Sequence, residues 1–355
     1  MFFSSVFRRC ARRAFAALAL SASLGVAAGP NGWTITDLGE RYIPAHINNR
    51  GDILPTMMTI GGLDLVVTGL NNFGVASANA LIDNRTAYLV SGGQATAIGS
   101  FFSAGGINDA GQVAGQVVLP RFGSPTPALW QNGAWSLLVG EAVLPFTDAS
   151  DVNAGGDVAA NAQIGPGLAV LFSGGVVTPI GLDGPYSDAR ALNDDGVVVG
   201  VAHTRWGFAT HAFKHHDGVT TDLGTLGGRT SMALDINNEN QIVGGSESSW
   251  MSNERHAFLY EGDQMISLSL LPDVQAAGWE RLDMATSIND LGQIVGIGTR
   301  GGVVHGFLLS PTVPVPEPAT WALAALGLAA LAFKRRASRR RLQPALEMRP
   351  HQPAR

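Results

Sequence analysis

The sequence predicts an all-β protein, a β-propeller built from repeats of about 40–45 residues, flanked by hydrophobic targeting helices at its N- and C-terminal ends. Three observations point there. One Asn-centred phrase recurs seven times along the chain. A second phrase alternates with it at a nearly constant period. The two ends of the repetitive body carry complementary halves of one repeat.

The first phrase reads "INDAGQVAG" from Ile107, "VNAGGDVAA" from Val152, "LNDDGVVVG" from Leu192, "INNENQIVG" from Ile236 and "INDLGQIVG" from Ile288, with weaker forms from Ile47 and Leu70. Each joins an apolar residue, an Asn, a turn and an alternating apolar run. The Asn side chain can bond its own backbone two residues on, and Gly supplies the positive φ that closes a hairpin. Each copy therefore marks a β-hairpin.

The second phrase reads "AYLVSGG" from Ala87, "ALWQNG" from Ala128, "AVLFSGG" from Ala169, "HAFKHHDG" from His211, "HAFLYEG" from His256 and "HGFLLS" from His305. Its anchors Ala87, Ala128, Ala169, Ala212, Ala257 and Gly306 lie 41, 41, 43, 45 and 49 residues apart. That spacing holds four short strands per unit. Taking the unit from His211, the strands are "HAFKHH", "VTTDLG", "SMALDIN" and "QIVGGSE", each with period-two alternation and turn residues between. "WTITDLG" at Trp33 is a second strand without its first, and "HGFLLS" at His305 is a first strand without its second. Joined, they close a ring and remove its open edges. Six anchors predict six blades. The closeness of Asn48 and Asn71, 23 residues apart, leaves room for a seventh, degenerate one, and a straight β-solenoid would not need the split ends.

Charge is distributed unevenly. Of 23 basic residues, four precede residue 14 and eight follow residue 333, so the stretch from Gly29 to Val315 holds 11 basic against 26 acidic residues. An acidic body whose only lysine is Lys214 excludes a phosphate-neutralising surface, and no nucleic-acid partner is expected. The opening 28 residues combine Arg8, Arg9, Arg12 and Arg13 with an apolar run from Ala14 and small residues at Val26 and Ala28, the layout of a cleaved secretory signal. The single cysteine, Cys10, leaves with it, so packing rather than disulfides must stabilise the mature body. The expected organisation is a signal at 1–28, a repeat body at 29–311, a sorting and membrane segment at 312–336 and a basic tail at 337–355.

From Ala319 to Phe333 the chain is uncharged and mostly apolar, 15 residues that reach about 22 Å as a helix against a hydrocarbon core of about 30 Å. Pro316 and Pro318 keep the preceding segment extended, and Lys334, Arg335 and Arg336 stop transfer at the far side. The residues Val315, Pro316, Glu317, Pro318, Ala319 and Thr320, the apolar run and the basic cluster together resemble the PEP-CTERM sorting tail of Gram-negative bacteria. That resemblance implies recognition by an exosortase, transient membrane insertion, and an outer-surface or matrix destination beside exopolysaccharide. The 19 residues from Ala337 extend beyond the family's usual end. The repeats themselves, "TDLGTLGGRTSMALDINNENQIVGGS" and "HAFLYEGDQ" above all, resemble the HAF family of bacterial extracellular repeats. The likeness is strongest after Ser187; earlier copies carry Thr86, Pro127 and Leu168 where the family has His.

No catalytic chemistry can be read from the chain, and no cofactor or metal site is expected. The cluster His211, His215, His216 and Asp217 lacks a ligand spacing, because neighbouring strand residues point to opposite faces. The Asn-Asp pairs at Asn108, Asn193 and Asn289 have too few carboxylates for a calcium loop. Carboxylate pairs such as Asp194 with Asp195, or Glu280 with Asp283, would suit a glycan hydrolase or lyase, and serve loop solubility equally well. The loops "LPRFGSPTP", "HTRWGFATH", "SSWMSNERH" and "AAGWERLD" bring Phe122, Trp206, Trp250 and Trp279 to one face, with Arg121, Arg205 and Arg255. Aromatic planes beside polar groups suit sugar rings, and capping of blade seams explains the same residues. The expected role is a non-enzymatic surface or matrix protein, with exopolysaccharide as the candidate ligand. The alternatives are a carbohydrate-active enzyme and a protein scaffold.

Overall fold

The computed structural model describes residues 32–82, 85–100, 102–118, 125–138, 146–162, 167–204, 209–251 and 254–312. The signal, the sorting segment and the basic tail, with both expected targeting helices, lie outside these residues. Strands dominate; the longest helix described is Pro272–Ala276, five residues.

Six antiparallel sheets and one two-stranded hairpin make up the ring. The hairpin pairs Pro44–Ile47 with Ile53–Pro55. Blade I holds Met57–Ile60, Leu63–Leu70, Ala76–Ala80, Thr86–Ser91 and Gln94–Ser100. Blade II begins at Phe102–Ile107, blade III at Phe146–Val152 and blade IV at Ser187–Leu192. Blade V runs through Ser231–Ile236, Ile242–Glu247, Arg255–Glu261 and Gln264–Ser267. Blade VI takes Arg281–Ile288, Ile294–Arg300 and Val303–Pro311 from the C-terminal end and Trp33–Glu40 from the N-terminal end. The protein is thus an all-β six-bladed propeller, with the degenerate unit between blades VI and I. Pairing of Thr34 with Ser310 and of Asp37 with Phe307 closes the ring, as the split repeat requires.

The blade boundary differs from the sequence expectation. Blades II to VI each start at the strand before the Asn turn, and the His-Ala-Phe phrase or its equivalent is their third strand. "HTRWGFATH" and "SSWMSNERH" therefore join the second and third strands within one blade rather than linking blades. Both hairpins and blade crossings use the same turn residues, so composition alone cannot place the boundary.

The anchors of the second phrase are small because neighbouring sheets meet there. Ala87, Ala128, Ala169, Ala212 and Ala257 are all fully buried. Ala169, Ala212 and Ala257 pack with Ala189, Ala233 and Ala285 of the following inner strand. The final Gly of the first phrase answers a different demand. Every inner strand breaks register three residues before its Asn, as between Ala189 and Ala191, Ala233 and Asp235, or Ala285 and Ser287. A Cβ on Gly200, Gly244 or Gly296 would come within 2.1 Å of an inner-strand carbonyl there. These bulges bend each inner strand and re-aim its next side chains toward the axis.

Candidate functional site

Two ends of the propeller offer candidate sites, and they are built differently. At the first, the seven Asn turns surround the central channel. Each Asn is buried, and each Oδ1 accepts the N–H four residues on, at 2.9 Å in all seven copies. Each Nδ2 then donates to the backbone carbonyl of the next Asn around the ring. The links run from Asn48 to Asn71 at 3.0 Å, Asn71 to Asn108 at 3.2 Å and Asn108 to Asn153 at 2.8 Å. They continue from Asn153 to Asn193 at 3.3 Å, Asn193 to Asn237 at 3.1 Å, Asn237 to Asn289 at 2.9 Å and Asn289 back to Asn48 at 2.8 Å. The amide is required at both ends: its oxygen shapes the turn and its NH2 ties the blade to its neighbour. Aspartate could do only the first.

A second, outer ring uses the following residue. The side chains of Asn72, Asp109, Asp194, Asn238, Asp290 and Asn49 accept N–H groups from Asn49, Asn72, Ala154, Asp194, Asn238 and Asp290 respectively. The one place with no side-chain oxygen to offer is Ala154.

Inside this mouth lies a cavity of about 230 Å³ with His46, Thr68, Ser150, Asp151, Asp235 and Ser287 on its wall. The bulges free N–H groups that these side chains take up across blade seams. Asp151 accepts from Leu192 N at 3.0 Å, Asp235 from Ile288 N at 2.9 Å, and Ser287 Oγ from Ile47 N at 3.3 Å. Burial pushes the Asp151 carboxyl up to about 7 against the pull of its backbone hydrogen bonds. It raises Asp235 to about 6 against the bonds from Ser287 and two N–H groups. Burial also lowers His46 to about 4, so its imidazole is neutral across the physiological range. The polar wall is committed to holding blades together.

The opposite end carries the connections between second and third strands and between blades. Trp250 stands there 71% exposed, with the Arg229 guanidinium 5.6 Å from its ring centre, and Met251 beside it is 99% exposed. Arg229 comes from the crossing between blades IV and V, so both classes of connection do reach one face. Phe122, Trp206, Arg121 and Arg205 lie outside the described residues. Trp279 does not join this face. It is 6% exposed, packed with Leu268, Val274 and Leu282, and meets Phe307 and His305 edge-on at 6.1 and 6.2 Å. The short helix Pro272–Ala276 folds the loop back, and its Asp273 accepts the Trp33 N–H at 3.2 Å.

Two of the three repeated histidines, His211 and His305, are cross-strand ties. His211 Nδ1 lies 2.8 Å from Asp222, and His305 Nδ1 lies 2.9 Å from Asp37. Each aspartate comes from the Thr-Asp-Leu-Gly strand beside it and also caps a following Gly N–H. Burial would raise Asp37, but the bonds from His305, Gly39 and Arg300 hold it below the usual carboxylate value. His215 is buried against Thr220 at 2.8 Å while His216 is exposed, so the two point apart. Among the described residues no cluster of His, Cys, Asp and Glu could hold a metal. Asp194 serves the outer ring, while Asp283 holds Arg281 and Thr299, and Glu280 takes the Gly302 N–H.

Residues 314–336 match the PEP-CTERM protein-sorting motif, the segment that contains Val315 to Thr320 and Lys334 to Arg336. This marks an exported protein that is sorted through the membrane and recognised by an exosortase. No curated protein matches the chain. Solved structures similar in fold include the β-propeller domain of the trilobed protease from Pyrococcus furiosus, at 12% identity over 74% of this chain and 85% of that one, TM-score 0.46. A gluconolactonase from Xanthomonas campestris is 11% identical over 78% and 98%, TM-score 0.42. A sialidase from Trypanosoma rangeli is 11% identical over 78% and 58%, TM-score 0.32. At these values the likenesses concern architecture and say nothing of what this chain binds or catalyses.

Proposed function

We propose that this protein is a non-enzymatic β-propeller of the cell surface or extracellular matrix, delivered by exosortase sorting and holding exopolysaccharide on the face around Trp250. The sorting motif at residues 314–336 carries the reading, because it sends the propeller to the compartment where such polymers lie. Two features of the body support it. An exposed indole presents a flat apolar plane beside a cation, which suits a pyranose ring with its polar rim. The channel end spends its polar groups on blade-to-blade bonds, leaving the loop face as the variable surface.

The test follows the protein in its host. The account expects a matrix or surface species that lacks everything after the Pro-Glu-Pro region, and accumulation of uncut chain in the membrane when Pro316, Glu317 and Pro318 are replaced by Ala. Uncut wild-type chain resident in the membrane would make the tail an anchor and refute exosortase delivery. A carbohydrate-active enzyme is a second reading, favoured by the raised carboxyls of Asp151 and Asp235, since a general acid must stay protonated near neutrality. It requires Asp151→Asn or Asp235→Asn to abolish polymer cleavage while leaving polymer binding intact.

A further inference from the structure

We infer that the ligand of this face is an acidic polysaccharide whose sugar carboxylates are taken by Arg229 and Arg255 while a ring stacks on Trp250. The inference rests on the proposed glycan-binding role and narrows it to a charge class.

This acidic body pairs most of its cations. Arg41, Arg50, Arg190, Lys214, Arg281 and Arg300 each lie 3.3 Å or closer to a carboxylate. With 26 acidic residues against 11 basic ones between Gly29 and Val315, a partner is easily found. Arg229 and Arg255, among the described residues, have none. The Arg229 guanidinium lies over Trp250, and its backbone N–H donates to Glu247 Oε2 at 3.1 Å. Arg255 sits directly across the strand pair from Glu247, and its own guanidinium reaches only the Met232 sulfur at 4.0 Å. The two guanidiniums are thus both at the loop end of blade V, beside Glu247, and that of Arg229 lies over the exposed indole.

Other charges at this end are accounted for. Glu254 binds Arg281 at 3.2 Å and Asp283 binds the same guanidinium, while Glu247 takes the Arg229 backbone N–H on Oε2 and keeps its negative charge between the two arginines. Arg229 and Arg255 thus set two positive charges against the one carboxylate of Glu247, beside an aromatic face. A guanidinium offers a planar pair of donors that fits a carboxylate, and an aromatic face accepts the apolar face of a sugar. A uronic acid residue carries both features on one ring. A neutral sugar would leave both guanidiniums unused.

The experiment measures retention of the full chain on gels of polygalacturonate and on the same polymer after its carboxyl groups have been reduced to alcohols. Variants are Trp250→Ala, Arg229→Gln, Arg255→Gln and the double Arg variant, with Arg229→Lys as charge-preserving control. All of these side chains are exposed or at the strand end, so thermal unfolding verifies that each variant keeps its fold. The expected result is binding to the charged polymer only, weakened about fivefold by each Gln change and about twentyfold by both, partly restored by Lys, and falling as salt rises. Equal binding to both polymers, or charged-polymer binding that the Arg variants leave unchanged, overturns the charge assignment while keeping the glycan reading. Binding to neither polymer, with Trp250→Ala also leaving retention by the host's own matrix polymer unchanged, overturns the glycan reading itself.

Discussion

The two ends of the propeller obey opposite rules. At the Asn-turn end the same residue occupies the same place in all seven units, each amide bonding its own turn and its neighbour's carbonyl, so one unit looks like the next. At the loop end the connections differ in length and sequence from blade to blade: Trp206 and Trp250 each lie three residues past a second strand, but the residues around them differ, and Trp250 and Met251 stand exposed. Repetition here marks architecture, because a closed ring needs the same joint at every seam. Variation from blade to blade is where we propose that a ligand is read.

The two tryptophans separate the two ends most clearly. Trp279→Ala should cost about 3–5 kcal/mol in urea unfolding, since it empties the core under the ring closure. Trp250→Ala should stay within about 0.5 kcal/mol of wild type and act on binding alone. Similar losses from both would abolish the distinction between the ends.

Next in size is the ring itself. Asn193→Asp keeps the acceptor for the Val197 N–H but loses the donor to the Asn237 carbonyl at 3.1 Å. It should destabilise by about 1–3 kcal/mol, and the same change at the exposed Asn132 should be nearly silent. Urea titrations of the two variants decide it.

The channel carboxyls supply a pH dependence. Asp151 and Asp235 hold their protons more tightly when folded, up to about 7 and 6 against an ordinary carboxyl value of 3.8. Between pH 4 and 7 the unfolded chain therefore binds fewer protons than the native one, and stability falls as pH rises through that window. Melting temperatures of the Asp151→Asn, Asp235→Asn double variant should vary less with pH over that range. Asp37 acts in the opposite sense. Its carboxyl is lowered by His305, Gly39 and Arg300, so its contribution to ring closure is present above pH 4 and disappears as pH drops through its lowered value.

The smallest expected effect is a gain. Ala154→Asn would offer the missing oxygen to the Asp109 N–H and complete the outer ring, raising stability by about 0.5 kcal/mol at this exposed site. A loss would mean that the local backbone does not follow its six counterparts.

Much of the body was legible because its signals are local. Period-two alternation and the Asn-Gly turns place the strands, and the half-repeats at Trp33 and His305 foretell the closing blade, which the pairing of Thr34 with Ser310 confirms. The close spacing of Asn48 and Asn71 is the hairpin unit that lacks outer strands. What stayed hidden is long-range. The Asn Nδ2 bonds join residues 23 to 52 positions apart along the chain, and across the closure 241, so no window of sequence contains them. The His–Asp ties left a usable trace: "HAF" or "HGF" occurs with "TDLG", and the pairs are His211 with Asp222 and His305 with Asp37. Trp279 misled because its flanks, Gly278 and Glu280, read as a polar loop, while the five-residue helix before it turns the indole inward.

We propose that the loop face around Trp250 retains exopolysaccharide. The most direct test is the fraction of protein held by the host's own purified matrix polymer, measured side by side for wild type, Trp250→Ala and Asn132→Asp, all shown to be folded. The account predicts that the first and third are retained and that Trp250→Ala is released at markedly lower polymer concentrations. Equal retention of all three would contradict it and leave the propeller's ligand to be sought elsewhere on the molecule.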